Sequence, residues 1–95
     1  MRPLRPGKPE VYDSLVDYLV RPLVAHPEDV RVHTVEGNAS VLVELRVNPD
    51  DVKRVRGSDG ATFRAMQRVL AASRRKDAPK PVLDLVEHDA AGDEE

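Results

Sequence analysis

Two glycines, Gly57 and Gly60, lie three residues apart between two short helical patterns, and this stretch most constrains the possible folds. Val52 and Val55 can share one face of the first helix, because residues three apart on a helix are neighbours. The second helix repeats its apolar residues at the same period, at Phe63, Met66 and Leu70. Since glycine has no side chain, a loop between two glycines allows a sugar–phosphate backbone to approach the peptide N–H groups. The stretch therefore predicts a helix–loop–helix that contacts single-stranded nucleic acid.

The charges of the chain are unevenly distributed, although the net charge is only −2. Between Lys53 and Lys76 there are eight basic residues and the single acid Asp59. After Lys76 the balance reverses, with seven acidic residues against Lys80 alone. The pI of 5.9 therefore says little about partners, whereas the local basic block is typical of a phosphate-binding surface.

The composition excludes several other classes of protein and site. The chain has 95 residues, enough for one domain, and the absence of cysteine excludes disulfides and thiolate metal sites. No apolar run approaches the ~18 residues of a membrane span, and the N-terminus lacks the apolar centre of a signal peptide. The serines and histidines form no nucleophile or metal-ligand pattern, and His26 and His33 are expected at the surface. We therefore expect a soluble cytoplasmic protein that is not an enzyme and holds no cofactor or metal.

The first half of the chain predicts a helix followed by a β-hairpin. From Glu10 to about Ala25 apolar residues recur at helical spacing, and Pro22 is expected to kink the helix or end it early. The helical row consists of Val11, Leu15, Leu19 and Leu23, with Val16, Val20 and Val24 beside it. Two strand-like runs, 30–37 and 40–47, follow with a short glycine-containing link, and the first run is expected at a sheet edge. The second run alternates and predicts one buried face, formed by Val41, Val43, Leu45 and Val47.

The second half predicts two more helices and a last strand. Residues 48–51 form a helix-start signal, in which Asp50 and Asp51 are expected near the positive end of the helix dipole. The last helix is expected to end near Arg75, and residues 82–86 follow as a strand after a proline-containing loop. The order α-β-β-α-α-β predicts an α+β fold with a three-stranded sheet and helices packed on one face.

The G-x-x-G spacing between two helices, in this order of elements, resembles a type II KH domain. Three segments are similar to the small bacterial single-KH proteins of the KhpA group: LVDYLVRPLVAHPEDVRVHTVEG, VLVELRVNPDDVKRVRGSDGATFRAMQRVL and VLDLVE. The resemblance covers residues 11–87. We therefore predict a type II KH-like domain over residues 10–87, between a disordered basic arm (1–9) and a disordered acidic tail (88–95).

The resemblance implies which residues bind RNA. A KH loop clamps the backbone of about four nucleotides, while a neighbouring groove holds unstacked bases. The clamp would consist of Gly57, Ser58, Asp59 and Gly60. The groove would have Val52, Val55, Arg56 and Ala61 near it and residues 82–86 as its opposite wall. The other residues expected to contact RNA are Lys53, Arg54, Arg56, Ala61, Arg64 and Arg68.

Two features depart from the usual pattern of the family. Arg56 occupies a position that is usually aliphatic, and Ser58 and Asp59 occupy a loop that usually contains a basic residue. A carboxylate about 4–5 Å from a phosphate costs about 1 kcal/mol at a water-like dielectric constant. Arg54 and Arg56 are expected to offset this repulsion by comparable amounts. We therefore predict weak, salt-sensitive RNA binding.

The resemblance also implies a biological role and partners. Members of the group resemble RNA chaperones or post-transcriptional regulators linked to cell shape and envelope synthesis. They self-associate or pair with a larger KH-containing protein of the KhpB (Jag) type, so a homodimer or such a heterodimer is expected. The alternative is a protein-interaction module on a KH scaffold with weakened RNA binding. Asp59 and Arg56 favour this alternative, whereas the basic block around the loop favours RNA.

Overall fold

The computed structural model describes residues 9–87. In chain order the α-helices and strands are α1 (Pro9–Val20), β1 (Arg31–Glu36), β2 (Ser40–Arg46), α2 (Val52–Arg56), α3 (Ala61–Ala72) and β3 (Lys80–Leu85). This order confirms the predicted α-β-β-α-α-β arrangement. Apart from Pro9, which begins α1, the predicted arm (1–9) and tail (88–95) lie outside the described residues. Among the helices of the described range, none has both the length and the apolar character required to cross a membrane.

β2 is the central strand of the sheet, with β1 and β3 on either side of it. β1 and β2 form the predicted antiparallel hairpin, in which the N–H of Gly37 donates to the C=O of Ser40 at 2.8 Å. β3 pairs with β2 in parallel, so the chain crosses over through α2 and α3 between these two strands. The helix–loop–helix is therefore held at both ends by neighbouring strands.

The helices cover one face of the sheet, and the core lies between them. Along β2 the buried side chains alternate as predicted, at Val41, Val43 and Leu45, and Val47 continues the row after the strand. α3 packs Met66 and Leu70 into the same core, with Phe63 partly buried beside them. The alternating side chains of β2 and the helically spaced side chains of α3 enter the same core. This confirms the predicted packing of the helices on one face of the sheet.

In α1 both predicted apolar rows contact the core, and the row that contains Val16 and Val20 is the more deeply buried. Tyr12, Val16 and Val20 are buried, whereas Leu15 and Leu19 are only partly buried against the core. Tyrosine carries a large apolar ring, and its burial favours the helix face that it shares with the two valines. The predicted apolar side of α1 therefore lies against the core, and Tyr12 adds to the deeper row.

α1 ends at Val20, and a single 3-10 turn, Arg21–Leu23, follows it. Pro22 lies inside this turn and has no N–H to continue the α-helical hydrogen bonds. The early end predicted for this helix is therefore confirmed. At the same point Arg21 forms an ion pair with Asp17 one turn earlier, at 2.8 Å.

Asp51 lies at the start of α2, as predicted, and it also has a role that the sequence did not indicate. The cap is supplied by Asn48, whose side-chain oxygen accepts a hydrogen bond from the N–H of Asp50 at 2.8 Å. Asp51 is fully buried, and its carboxylate accepts hydrogen bonds from the N–H groups of Ala25 at 2.9 Å and His26 at 3.0 Å. It thereby connects the segment after α1 to the start of α2. In this setting His26, predicted at the surface, is half-buried.

α3 ends at Ala72, earlier than the predicted end near Arg75. The hydroxyl of Ser73 donates to the C=O of Leu70 at 2.7 Å. Such a local side-chain bond to the backbone competes with continuation of the helix. Asp77 then adopts a positive φ of 68° in the turn that leads to β3.

Candidate nucleic-acid interface

The loop between α2 and α3 requires glycine at its first position. Gly57 has φ 77° and ψ 175°, a combination that is essentially restricted to glycine. A Cβ at this position would lie 2.2 Å from Oγ1 of Thr62 and 2.8 Å from its backbone nitrogen. The loop backbone therefore lies directly against the first turn of α3, with no room for a side chain between them.

The second half of the loop turns through left-handed conformations. Asp59 has φ 55° and Gly60 has φ 76°, and aspartate is one of the few residues other than glycine that tolerate this region. Nη1 of Arg64 donates to the C=O of Asp59 at 2.7 Å. A Cβ on Gly60 would lie 3.1 Å from the same nitrogen. The absence of a side chain at Gly60 therefore makes room for the guanidinium over the loop.

The loop offers backbone donors to an anion. The N–H of Gly57 donates to Lys53 at 2.9 Å, and the N–H of Gly60 donates to the C=O of Gly57 at 3.1 Å. The N–H groups of Ser58 and Asp59 have no acceptor among the described residues. They precede α3, a helix of 12 residues, whose N-terminal end carries the positive end of its dipole. Both features favour a phosphate at this loop.

Arg54 is bound to buried Asp51. Nη1 of Arg54 donates to Oδ1 of Asp51 at 3.0 Å and to the C=O of Asp50 at 3.2 Å. Burial alone would raise the pKa of Asp51. The N–H donors of Ala25 and His26, the charge of His26 and the bond from Arg54 outweigh this effect, so the pKa lies below its ordinary value. Arg54 therefore helps to hold a buried carboxylate and is not a free cation beside the loop.

Arg56 forms an ion pair with Glu87, two residues after the end of β3. The two side chains are 47% and 56% exposed, respectively, so the pair contributes little to stability. It connects the end of α2 to the end of β3 and neutralises the positive charge next to Gly57. The sequence suggested that Arg54 and Arg56 would offset the repulsion between Asp59 and a phosphate. This offset is smaller than expected, because both guanidinium groups already have acidic partners.

The remaining predicted site residues are accessible. The side chains of Lys53 and Arg68 are exposed and form no hydrogen bond or ion pair with another described residue. Ala61 is exposed at the first position of α3. A polyanion can therefore reach Lys53 and Arg68 without displacing an existing ion pair.

A groove of about 370 Å³ lies between α3 and β3. Its volume falls within the range of small-molecule sites, roughly 300–1,000 Å³. Arg64 and Arg68 from α3 and Lys80 from β3 supply its cations. Gln67 contacts both walls, because its Nε2 donates to the C=O of Leu83 at 3.4 Å. The remaining lining residues are Ala71, Pro81 and Val82. Arg64 belongs both to the groove and to the loop, so the two are continuous.

Within the described part of the chain, β3 is an edge strand of the sheet, and its outer backbone edge faces this groove. The N–H of Lys80 donates to the C=O of Ala39 at 3.1 Å, and that of Val86 donates to Leu45 at 2.9 Å. In a parallel pair, alternate residues of a strand bond to the same neighbour. Leu83 therefore directs its own N–H and C=O away from β2, towards the side on which Gln67 lies. These groups match the hydrogen-bonding edge of an unstacked base.

Comparison with known sequences assigns the chain to a protein family. The family described as "KhpA/KhpB, KH domain" matches residues 13–85. The chain belongs to this KH domain family. A KhpA/KhpB family member from Clostridium perfringens, named "RNA-binding protein KhpA", is 36% identical over 73 residues, which cover 77% of this chain and 97% of the relative.

Two further relatives are also named "RNA-binding protein KhpA". The relative from Halalkalibacterium halodurans is 36% identical over 74 residues, covering 78% of this chain and 97% of the relative. The relative from Aquifex aeolicus is 36% identical over 74 residues, covering 78% and 94%, respectively. No solved structure gives a significant match.

The four residues that the family resemblance suggested near the groove are not in its lining: Val52, Val55, Arg56 and Ala61. Val55 is fully buried in the core, and Val52 is partly buried against it. The strand wall of the groove comprises residues 80–83, so it begins earlier than the predicted 82–86.

Five residues of this surface were missed by sequence reasoning: Gln67, Ala71, Lys80, Pro81 and Glu87. For Gln67 a signal exists, because it lies three residues after Arg64 and thus on the same helix face. Lys80 begins the last strand and Glu87 follows it, and the sequence does not reveal which helix each of them approaches.

A separate cluster contains possible metal ligands outside this surface. One ligand atom each from His26, Glu28 and Asp29 lies within 4.8 Å of the others. Nδ1 of His26 lies 3.6 Å from Glu28, and Asp29 accepts a hydrogen bond from Asn48 at 2.9 Å. These contacts account for the cluster without an ion.

Proposed function

We propose that this protein binds single-stranded RNA, with a phosphate at the loop and unstacked bases in the groove between α3 and β3. The observation that carries the proposal is that Arg64 connects the loop to the groove: it donates a hydrogen bond to the loop and also lines the groove. The names of these three relatives support RNA as the ligand. The protein acts without catalysis, cofactor or metal in this proposal.

The contacts divide between positioning and recognition. The N–H groups of Ser58 and Asp59 and the dipole of α3 hold a phosphate, while Arg64 and Arg68 contact the neighbouring ones. Gln67 and the backbone of Leu83 supply donors and acceptors to a base edge. A base therefore meets specific hydrogen-bonding groups, whereas the phosphates meet charges that do not depend on sequence.

Arg68 provides the sharpest test of this arrangement, because it has no described contact that a substitution would break. We expect Arg68→Ala to weaken binding of a short unpaired oligoribonucleotide by roughly 5-fold, corresponding to the loss of about 1 kcal/mol. Fluorescence anisotropy at low salt measures the Kd, and thermal denaturation checks that the variant folds.

The matched control is Arg46→Ala. Arg46 is exposed on β2 and points to the face of the sheet opposite the helices. Its removal changes the net charge equally and is expected to leave the Kd almost unchanged. Equal losses in the two variants would show that only net charge matters, and no binding by the parent protein would refute the proposal.

We infer that the physiological role matches the one implied by the family resemblance. The protein would act in the cytoplasm as an RNA chaperone or post-transcriptional regulator linked to cell shape and envelope synthesis. It would do so as a homodimer or together with a larger KH-containing protein of the KhpB (Jag) type. Sizing of the purified protein, alone and with such a partner, tests the assembly.

A protein-interaction module is the second candidate. The ion pairs Arg54–Asp51 and Arg56–Glu87 favour it, because they reduce the free positive charge near the loop. Asp59 reduces it further. A protein that forms a stable complex with its partner but does not shift RNA at low ionic strength would support this candidate over the first.

A further inference from the structure

The chain continues after Glu87 as a short acidic segment. Residues 88–95 contain Asp89, Asp93, Glu94 and Glu95 and no lysine or arginine. The family match ends at residue 85, and the C. perfringens relative is covered over 97% of its length by only 77% of this chain. The acidic segment is therefore an addition to the shared domain rather than part of it.

The starting point of this segment is known from the structure. Glu87, the last described residue, forms an ion pair with Arg56, the residue before Gly57. The segment therefore begins beside the loop, at the same end of β3. A segment attached at such a point has an effective concentration in the millimolar range at a nearby surface, so even weak contacts are populated.

The groove offers a surface of opposite charge within reach. Arg64, Arg68 and Lys80 are its cations, and the groove has no acidic lining residue in the described part of the chain. An extended chain spans about 3.3 Å per residue, so residues 93–95 reach roughly 20–26 Å from Glu87. Lys80, at the far end of β3, lies about 23 Å along the strand from Glu87. All three cations are therefore accessible to the acidic residues of the segment.

We propose that residues 88–95 occupy the basic groove in the RNA-free protein and compete with RNA for it. The carboxylates take the positions that phosphates would take along Arg64 and Arg68. RNA displaces them because it also bonds to the loop N–H groups and places bases against Gln67. This inference rests on the proposed RNA site and adds an intramolecular competitor to it.

The first test uses the full-length chain with a neutral tail that combines Asp89→Asn, Asp93→Asn, Glu94→Gln and Glu95→Gln. We expect this variant to bind a short unpaired oligoribonucleotide about 3- to 10-fold more tightly at low salt, because the competitor is removed. The gain should disappear near 0.5 M salt, at which charge contacts over several ångströms are screened (roughly 4 Å Debye length).

The matched control neutralises four acids away from the groove: Glu36→Gln, Glu44→Gln, Asp77→Asn and Asp84→Asn. It changes the net charge equally, but none of these residues lines the groove. An equal gain in affinity would mean that net charge alone is responsible, which would overturn the competition.

The second test needs no RNA. Amide chemical shifts of the parent and the neutral-tail variant are compared by NMR. Differences at Arg64, Gln67, Arg68 and Lys80 support docking of the tail in the groove, and differences confined to residues 84–87 overturn it. If neither protein binds RNA, the proposed function fails, while the shift comparison still decides whether the tail docks. If both bind RNA equally, the function stands and the competition fails.

Discussion

At the first loop position, Gly57 combines a backbone conformation restricted to glycine with close contact against Thr62. At the third position, Asp59 places a carboxylate beside the N–H groups that would meet a phosphate. The shape of the loop and its charge thus depend on different residues, and single substitutions can change them separately.

Alanine at the two glycines should have unequal effects on stability. Gly57→Ala forces an unfavourable φ/ψ combination and a clash with Thr62, so we expect the free energy of unfolding to fall by about 3 kcal/mol. Gly60→Ala faces only a left-handed φ and the movable guanidinium of Arg64, so about 1 kcal/mol is expected. Urea denaturation measures both values. Similar losses for the two variants would mean that the contact with Thr62 is not limiting.

Removal of the charge of Asp59 should strengthen RNA binding. We expect Asp59→Asn to lower the Kd about 5-fold at low salt, because about 1 kcal/mol of repulsion to a nearby phosphate disappears. Asparagine is chosen because it also tolerates a positive φ, so that the loop keeps its shape.

Asp77→Asn is the control for this substitution. Asp77 is likewise an exposed aspartate with positive φ, at 68°, but it follows α3 at the end remote from the loop. Anisotropy titrations of both variants against the parent separate a local effect from a general one. A Kd that does not respond to Asp59→Asn would show that this carboxylate does not weaken RNA binding.

At the scale of elements, buried Asp51 connects the segment after α1 to the start of α2. Its carboxylate accepts two backbone N–H groups from residues far away in the sequence, Ala25 and His26. Because α2 ends at the loop, a contact that fixes the start of this short helix also fixes the position of Gly57. The buried carboxylate therefore belongs to the support of the candidate site, although it cannot contact RNA itself.

We expect Asp51→Asn to lower the melting temperature by roughly 5–10 °C at neutral pH. An asparagine oxygen can accept one of the two N–H groups, but its amide donates and leaves the other N–H unpaired. Asp50→Asn is the control, since the side chain of Asp50 is exposed. A melting temperature unchanged in the Asp51 variant would contradict the role of the buried carboxylate.

The stability of the parent and that of the Asp51→Asn variant should respond differently to pH. Since the pKa of folded Asp51 is below its ordinary value, the ionised group stabilises the fold fully above the unfolded pKa of about 3.9. This contribution is lost as the pH falls through the lower, folded pKa. The difference in melting temperature between the parent and Asp51→Asn should therefore be constant from about pH 5 to 7 and shrink below about pH 4. A difference that persists at the lowest pH would contradict this assignment.

At the scale of the whole molecule, the local patterns of the sequence determine much of the fold. The alternation along β2 and the helical spacing of Met66 and Leu70 predict one buried face on each element, and both faces are buried. Pro22 correctly predicts the end of α1. These features follow from residues close together in the chain, so they are readable without a structure.

Contacts between distant residues are not readable in the same way. Nothing local in the sequence pairs Arg56 with Glu87 or buries Asp51 against Ala25. The candidate site was therefore predicted at the loop, where glycine spacing is informative, and incompletely along the groove, whose second wall comes from β3. Along α1 the two apolar rows were predicted, but the burial of Tyr12 in the row of Val16 and Val20 was not.

RNA binding should depend steeply on salt, because the proposed site neutralises several phosphates. If about three phosphates are contacted, the plot of log Kd against log salt should have a slope near 2, at ~0.7 for each phosphate of a single strand. Titrations between about 50 and 300 mM salt measure this slope. The Arg68→Ala variant should reduce it by about 0.7, and a slope near zero in the parent would refute the phosphate contacts.

β3 supplies one wall of the groove and is also the last strand of the domain. During synthesis the ribosome releases the loop and both of its helices before this strand, so a nascent chain first contains the glycines without the surface beside them. Parallel pairing across an intervening pair of helices requires closure of a long segment of chain and is slow compared with local folding. The arrival of the final strand thus completes the domain and the candidate groove in one event, so a partly made chain lacks one wall of this groove.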